Sequence, residues 1–217
     1  MKHVDVIDLK KEYGWGKTRK TVLDGLNFSV SYGECLAIFG EHDSGKTTLL
    51  NLLLGIDKID YGQIIVGQDD LAFKTEEERA QIRREEIGVY LEKSPLIRDK
   101  TVAENLQIMD KVRGKKGDKE LLHELIDYFN CADLMNKFPP KLNQVEHEAV
   151  LYIRALSSNP SLLVLDEPKT NEVLQKLIHY ARRNGHTLIY TTSSWEQVQI
   201  AQGAVLLEAG KVVEYSG

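Results

Sequence analysis

Cysteine is scarce: Cys35 and Cys131 are the two in 217 residues, too few for a paired-CxxC metal site. A chain so poor in cysteine suits a reduced, cytosolic compartment. No apolar stretch approaches the roughly 20 residues needed to cross a bilayer. The start, Met1-Lys2-His3-Val4-Asp5, carries no apolar signal core, so any membrane role is expected to come through a partner. Net positive charge is absent as well. At −5 the chain has no global field favouring nucleic acid, and none is expected as a partner. Internal repeats and low-complexity tracts are also missing. What is present is 42% hydrophobic and 28% charged residues, the mixture of one globular domain with a core that needs no staples.

Strand and helix patterns alternate along the chain, which implies a mostly parallel sheet. The first residues alternate from His3 to Leu9 as a half-buried strand, and Tyr13-Gly14-Trp15-Gly16 with Lys17, Arg19 and Lys20 reads as an exposed turn. Strands are expected at 27–31, 34–39, 64–66, 87–91, 162–165, 187–191, 204–207 and 211–215. Helices are expected at 46–54, 75–86, from 101, at 118–129, 144–156 and 171–184. The middle differs in character. Thr101-Val102-Ala103-Glu104 is a capping box, Lys111 to Gly117 reads as a solvated basic linker, and Pro139-Pro140 breaks the chain. Residues 92–150 therefore look like a helical insert in an α/β core formed by 1–91 and 151–217.

The most informative segment is Gly40-Glu41-His42-Asp43-Ser44-Gly45-Lys46-Thr47, a full match to GxxxxGK[ST]. At average residue usage a chain of this length matches by chance roughly once in a hundred. Context narrows that further, because the loop follows the apolar run Leu36-Ala37-Ile38-Phe39 and opens a helix. Glycines let the backbone wrap phosphate, and N–H groups at a helix start point at the anion. Lys46 supplies charge to the β- and γ-phosphates, and the Thr47 hydroxyl is suited to Mg²⁺. With Thr48 these residues form the expected ATP-binding loop; His42 is expected to face solvent. Leu162-Leu163-Val164-Leu165 then ends in Asp166 and Glu167. At such a strand end one carboxylate holds Mg²⁺, here Asp166, and the next can take a proton from attacking water, here Glu167.

With both elements in view, the chain resembles the ATP-binding cassette subunits of ABC transporters nearly end to end. Leu23-Asp24-Gly25-Leu26 and Tyr32-Gly33-Glu34 fit that family's approach to the phosphate loop, and Ile153-Arg154-Ala155-Leu156 precedes its acidic strand end. Arg83-Arg84-Glu85-Glu86-Ile87-Gly88 looks most like the branch serving lipoprotein release and macrolide export. The resemblance implies a phosphate-loop NTPase core with a mostly parallel sheet, an N-terminal antiparallel β portion and an inserted helical subdomain. It implies Tyr13 as the residue that stacks on adenine. It also implies ATP and Mg²⁺ as cofactors, a membrane permease as partner, and a place at the cytoplasmic face of the membrane. Two such cassettes face each other, each ATP lying between one phosphate loop and the partner's signature segment.

Four positions depart from the family pattern. The signature Leu-Ser-Gly-Gly-Gln reads Leu142-Asn143-Gln144-Val145-Glu146, putting side chains where glycine backbone meets phosphate. The glutamine that helps to position Mg²⁺ and water is Glu92, which could still ligate the metal. The histidine that contacts the γ-phosphate is Ser193, and the segment that crosses to the partner's site, after Pro168, is shortened to Lys169-Thr170. The expectation is a degenerate cassette that binds MgATP, hydrolyses it slowly or not at all, and acts with a second cassette and a permease. The alternatives are an active transport ATPase, with Glu92 or a partner cassette compensating, and a soluble nucleotide-sensing regulator.

Overall fold

The structure is a computed structural model that describes residues 1–91, 96–113 and 117–216. Ten strands and seven helices follow in the order β1 Lys2–Tyr13, β2 Lys20–Ser31, β3 Cys35–Phe39, α1 Lys46–Leu53, β4 Tyr61–Val66, β5 Asp69–Asp70, α2 Glu76–Glu85, β6 Ile87–Tyr90, α3 Val102–Arg113, α4 Lys119–Tyr128, α5 Gln144–Leu156, β7 Leu162–Leu165, α6 Asn171–Asn184, β8 Thr187–Thr192, α7 Trp195–Val198, β9 Gly203–Glu208 and β10 Lys211–Ser216 among the described residues. They build two sheets. An antiparallel sheet runs β2-β1-β4-β5, and a six-stranded sheet runs β10-β9-β3-β8-β7-β6. In the larger sheet β9, β3, β8, β7 and β6 are mutually parallel, and β10 alone turns back along the edge. The expected α/β class, mostly parallel sheet and N-terminal antiparallel portion are all present.

The larger sheet has a core on each face. Alternate residues of its strands, among them Leu36, Ile38, Leu162, Val164 and Ile189, meet α1 and the apolar faces of β1, β2 and β4. Their neighbours Ala37, Leu163, Leu165, Leu188 and Tyr190 meet α5 and α6, and that cluster extends to Leu106 of α3 and Leu125 of α4. Burial on both faces explains the uninterrupted apolar runs of β3 and β7. Because the five strands run the same way, their C-terminal ends open on one edge, where ligands of α/β sheets collect.

Helix limits follow caps written in the sequence. Thr75 with Glu78, Thr101 with Glu104, and Asn143 with Glu146 close reciprocal capping boxes. Three expectations are corrected. Tyr13 and Lys20 are not in the exposed turn but end β1 and begin β2 as a pair, and the strand expected at 27–31 extends back to Lys20 because β1 pairs along that whole length. The basic linker is shorter than expected, since α3 continues to Arg113. The short β5 and the 3-10 turn Leu71–Phe73, held by Asp70 accepting the Ala72 N–H, were not anticipated.

Candidate functional site

The phosphate-loop sequence connects β3 to α1. Two glycines are required by space and backbone. A Cβ on Gly40 would collide with Ser44 Oγ and with the Leu207 carbonyl. Gly45 has φ of 107°, and a Cβ there would lie 2.7 Å from Leu23 Cδ2. Asp43 also takes a left-handed backbone, φ 61°, as the loop turns. The Gly40 N–H donates to the Thr192 carbonyl at 3.1 Å, and the Gly210 N–H to the Ser44 carbonyl at 3.0 Å, so β8 and the turn between β9 and β10 brace the loop. Glu41, His42 and Asp43 form its exposed crest, with His42 Nδ1 3.1 Å from Asp43 Oδ1.

Lys46 is 8% exposed and turns inward. Its Nζ donates to the carbonyls of Gly40 at 2.5 Å and Glu41 at 2.9 Å, and lies 3.3 Å from Glu167 Oε1. The sheet order makes that meeting possible, because β8 alone separates β3 from β7. Ser44 Oγ is buried with no hydrogen-bond partner, an orphaned hydroxyl beside the lysine. A buried ammonium, an orphaned hydroxyl and a helix start with non-clashing glycines form a donor set that fits phosphate. Thr47, at the first turn of α1, is exposed.

Sequence reading did not anticipate Thr191. This fully buried residue of β8 connects both acids: its Oγ1 donates to Asp166 Oδ1 at 3.0 Å and accepts the Glu167 N–H at 3.0 Å. Glu167 has φ of 49°, which turns its carboxylate toward Lys46, and Ser193 Oγ donates to its Oε2 at 3.4 Å. Asp166, Glu167, Lys46, Thr191 and Ser193 therefore meet at one edge of the sheet. The site pairs a cation for phosphate with carboxylates suited to a hard metal ion and to a water proton. Glu92 lies outside the described residues.

Tyr13 ends β1 beside the first turn of α1, where Thr48 contacts its hydroxyl. The hydroxyl donates to Asp57 Oδ2 at 2.5 Å; burial, then this bond, pushes its pKa up to about 12. One ring face carries the Lys11 ammonium 5.0 Å from the centroid, and the residue stays 40% exposed. Trp195 stacks on Phe39 at 4.2 Å between ring centroids, next to the loop.

The segment 142–146 lies apart from these groups in sequence and opens α5. Asn143 Oδ1 accepts the Glu146 N–H and Glu146 Oε2 accepts the Asn143 N–H, each at 2.9 Å. Lys137 Nζ approaches Glu146 Oε1 at 3.2 Å, and the two contacts, the backbone bond foremost, hold the Glu146 carboxyl below its ordinary pKa. The start of α5 is thus closed by its own side chains. One turn on, Glu148 is 2% exposed; its Oε1 accepts from the Lys169 N–H at 2.8 Å and the Tyr152 hydroxyl at 2.7 Å. Glu148 was not anticipated either. The signal was available: an acid heading the apolar run 149–153, four residues before Tyr152.

Comparison with known proteins identifies the relatives. Residues 23–170 match the ABC transporter family. The chain is similar to an ABC transporter ATP-binding protein of Mycobacterium tuberculosis, 34% identical over 97% of this chain and 88% of that one. It is also similar to the lipoprotein-releasing system ATP-binding protein LolD of Nitrobacter winogradskyi, 29% identical over 95% of this chain and 93% of the other. A third relative is the macrolide export ATP-binding/permease protein MacB of Shigella flexneri, 28% identical over 97% of this chain and 34% of that longer protein. Among solved structures, the ATP-binding cassette MJ0796 in a dimeric post-hydrolysis state with ADP and Pi shares the fold. Its TM-score is 0.86 at 22% identity, over 98% of this chain and 97% of the other.

Proposed function

The chain belongs to the ABC transporter family as an ATP-binding cassette subunit, and on that premise we propose that it binds MgATP but turns it over slowly or not at all. The nucleotide would be held by residues 40–48, with Lys46 and Ser44 at the phosphates, Thr47 and Asp166 at Mg²⁺, and Tyr13 at adenine. Bound Mg²⁺ would supply charge neutralisation at the phosphates. Glu167 is positioned for general-base work and stands idle in this reading. The whole chain is one cassette domain, residues 1–91 and 151–217 forming the α/β core and 92–150 the helical part.

The observation that carries the reading is the start of α5. In the family's facing arrangement a partner's terminal phosphate needs free N–H groups there. In this chain those of Asn143 and Glu146 are already bonded to side chains, and the Glu146 carboxylate brings negative charge to meet the incoming anion. Two further observations support it: Ser193 follows β8 where the family has histidine, and α6 begins at Asn171, close behind the acidic pair. Loss of one preorganised transition-state contact typically costs about 2.7–4 kcal/mol of barrier, so several together bring turnover toward background. The subunit would then act through differential ATP affinity of two assembly states, beside a membrane permease and a second cassette at the cytoplasmic face. No helix among the described residues is long and apolar enough to cross a membrane.

Calorimetry and phosphate release on the purified protein test this. MgATP binding that is lost in Lys46→Ala, with turnover at background, is the expected result. Robust hydrolysis by the isolated protein, abolished in Glu167→Gln, overturns it. The intact Glu167–Lys46–Thr191 arrangement favours one second reading, an active site completed by a partner's signature segment; turnover appearing only on mixing with a partner cassette, and sensitive to Glu167, would select it.

A further inference from the structure

A concavity of about 540 Å³ lies far along the sequence from the phosphate loop, between the exposed face of α6 and the segment after α7. Gln175, Ile178, His179, Arg182, Arg183 and Ile200 line it. The volume is in the range of binding clefts. The wall from Gln175 to Arg183 extends about 12 Å along the helix axis. Ile178, buried against the core, and the half-buried Ile200 form an apolar floor. The segment carrying Ile200 is fixed in place: the Gln202 N–H donates to the Cys35 carbonyl at 3.0 Å, and Gln202 Oε1 accepts the Cys35 N–H at 2.9 Å. The groove therefore exists before anything binds.

The two arginines that line the groove are cationic, with no carboxylate among the lining residues. Arg182 and Arg183 are exposed and form no ion pair among the described residues, although the chain as a whole is acidic at −5. The C-terminal helix dipole accounts for cations in the last turn of α6. It does not account for an apolar concavity beside them. Consecutive helix residues diverge by about 100°, so the two guanidinium groups spread across the groove and do not converge on one small anion. Spread forks over an apolar floor match several carboxylates flanking an apolar side chain.

We propose that this groove docks an acidic peptide segment of a partner protein, one apolar residue seated on Ile178 and Ile200 and flanking carboxylates paired with Arg182 and Arg183. The proposal is independent of how the chain handles nucleotide. It is tested by panning a random peptide library displayed on phage against the wild type and an Arg182→Glu/Arg183→Glu variant in parallel. The expected wild-type consensus is an apolar residue between acidic ones, and it is missing from the variant. The synthetic consensus peptide should bind the variant, and separately Ile200→Ser, at least about tenfold more weakly, and should weaken with added salt. Thermal melting and MgATP titration of each variant confirm that fold and nucleotide site are unchanged. No enriched consensus, a consensus without carboxylates, or equal binding by the charge-reversed variant overturns the proposal. So does full displacement of the peptide by millimolar inorganic phosphate, which would make the groove a small-anion site.

Discussion

Lys46 has one ammonium and three oxygens around it: two carbonyls of its own loop and the Glu167 carboxylate. A bound phosphate must draw that ammonium away from Glu167, and the carboxylate also repels the phosphate. Glu167→Gln removes both effects. It is expected to bind MgATP more tightly, up to about fivefold if the ion pair contributes near 1 kcal/mol. Titration calorimetry beside the wild type measures this; unchanged or weaker affinity would mean that Glu167 does not compete for the lysine. Gly40→Ala is expected to act oppositely and to abolish binding, since its Cβ collides with Ser44 and a β9 carbonyl. At this scale the residues that make contact were legible in the sequence, because the GxxxxGK[ST] spacing and the acidic strand end are local patterns. The residue that joins them was not. Thr191 reads as one more β-branched strand residue, and its role depends on β8 lying between β3 and β7, a fact of sheet order that no local pattern encodes.

Elements announce themselves when their ends carry side-chain caps. α5 was legible to the residue because Asn143 and Glu146 have the spacing of a capping box, whereas the beginning of β2 was not. Lys20 to Asp24 mixes polar and apolar residues without regular alternation, and the bulged pairing with β1 decides its structure. Asn143→Ala is therefore expected to cost about 1 kcal/mol of stability, read in urea denaturation, with the fold retained. Further along the same helix, Glu148 is a buried acceptor for the Lys169 N–H and the Tyr152 hydroxyl, and its Oε2 has no hydrogen-bond partner. Leucine there would strand both donors, at about 1–3 kcal/mol each. Glutamine keeps the accepting oxygen and removes a buried charge. Glu148→Leu should lower the melting temperature markedly while Glu148→Gln holds it or raises it. Equal losses in the two variants would show that the carboxylate's charge, and not its acceptor oxygen, supports the helix.

For the whole molecule, two buried histidines fasten parts that are distant in sequence, and they contribute to its response to acid. His3 of β1 lies with Nδ1 2.6 Å from Thr187 Oγ1 at the start of β8 and stacks on Tyr32 at 4.0 Å, joining the two sheets. His186 donates from Nδ1 to the Pro160 carbonyl at 2.6 Å, joining the end of α6 to the entry of β7. Burial is the leading cause that pulls both pKa values below the ordinary 6.5. The folded protein thus resists a proton that the unfolded chain accepts. Above pH 6.5 neither state is charged at these rings, and their full contribution is present; as pH falls below 6.5 the unfolded state takes up protons first and stability declines, until each folded pKa is passed. The slope is at most about 1.4 kcal/mol per pH unit per histidine. Carboxylates held low, such as Glu78, Glu104 and Glu146, add their own loss only below their ordinary 4.5, so the two windows separate. Urea denaturation at successive pH values should show stability falling between pH 6.5 and 5, with a shallower fall in His186→Gln and in His3→Gln measured against their own values at pH 7.5. A flat wild-type profile across that window would place the acid response in the carboxylates alone; an unaltered slope in both variants would assign it to His147, whose pKa burial and then Arg154 also pull below 6.5.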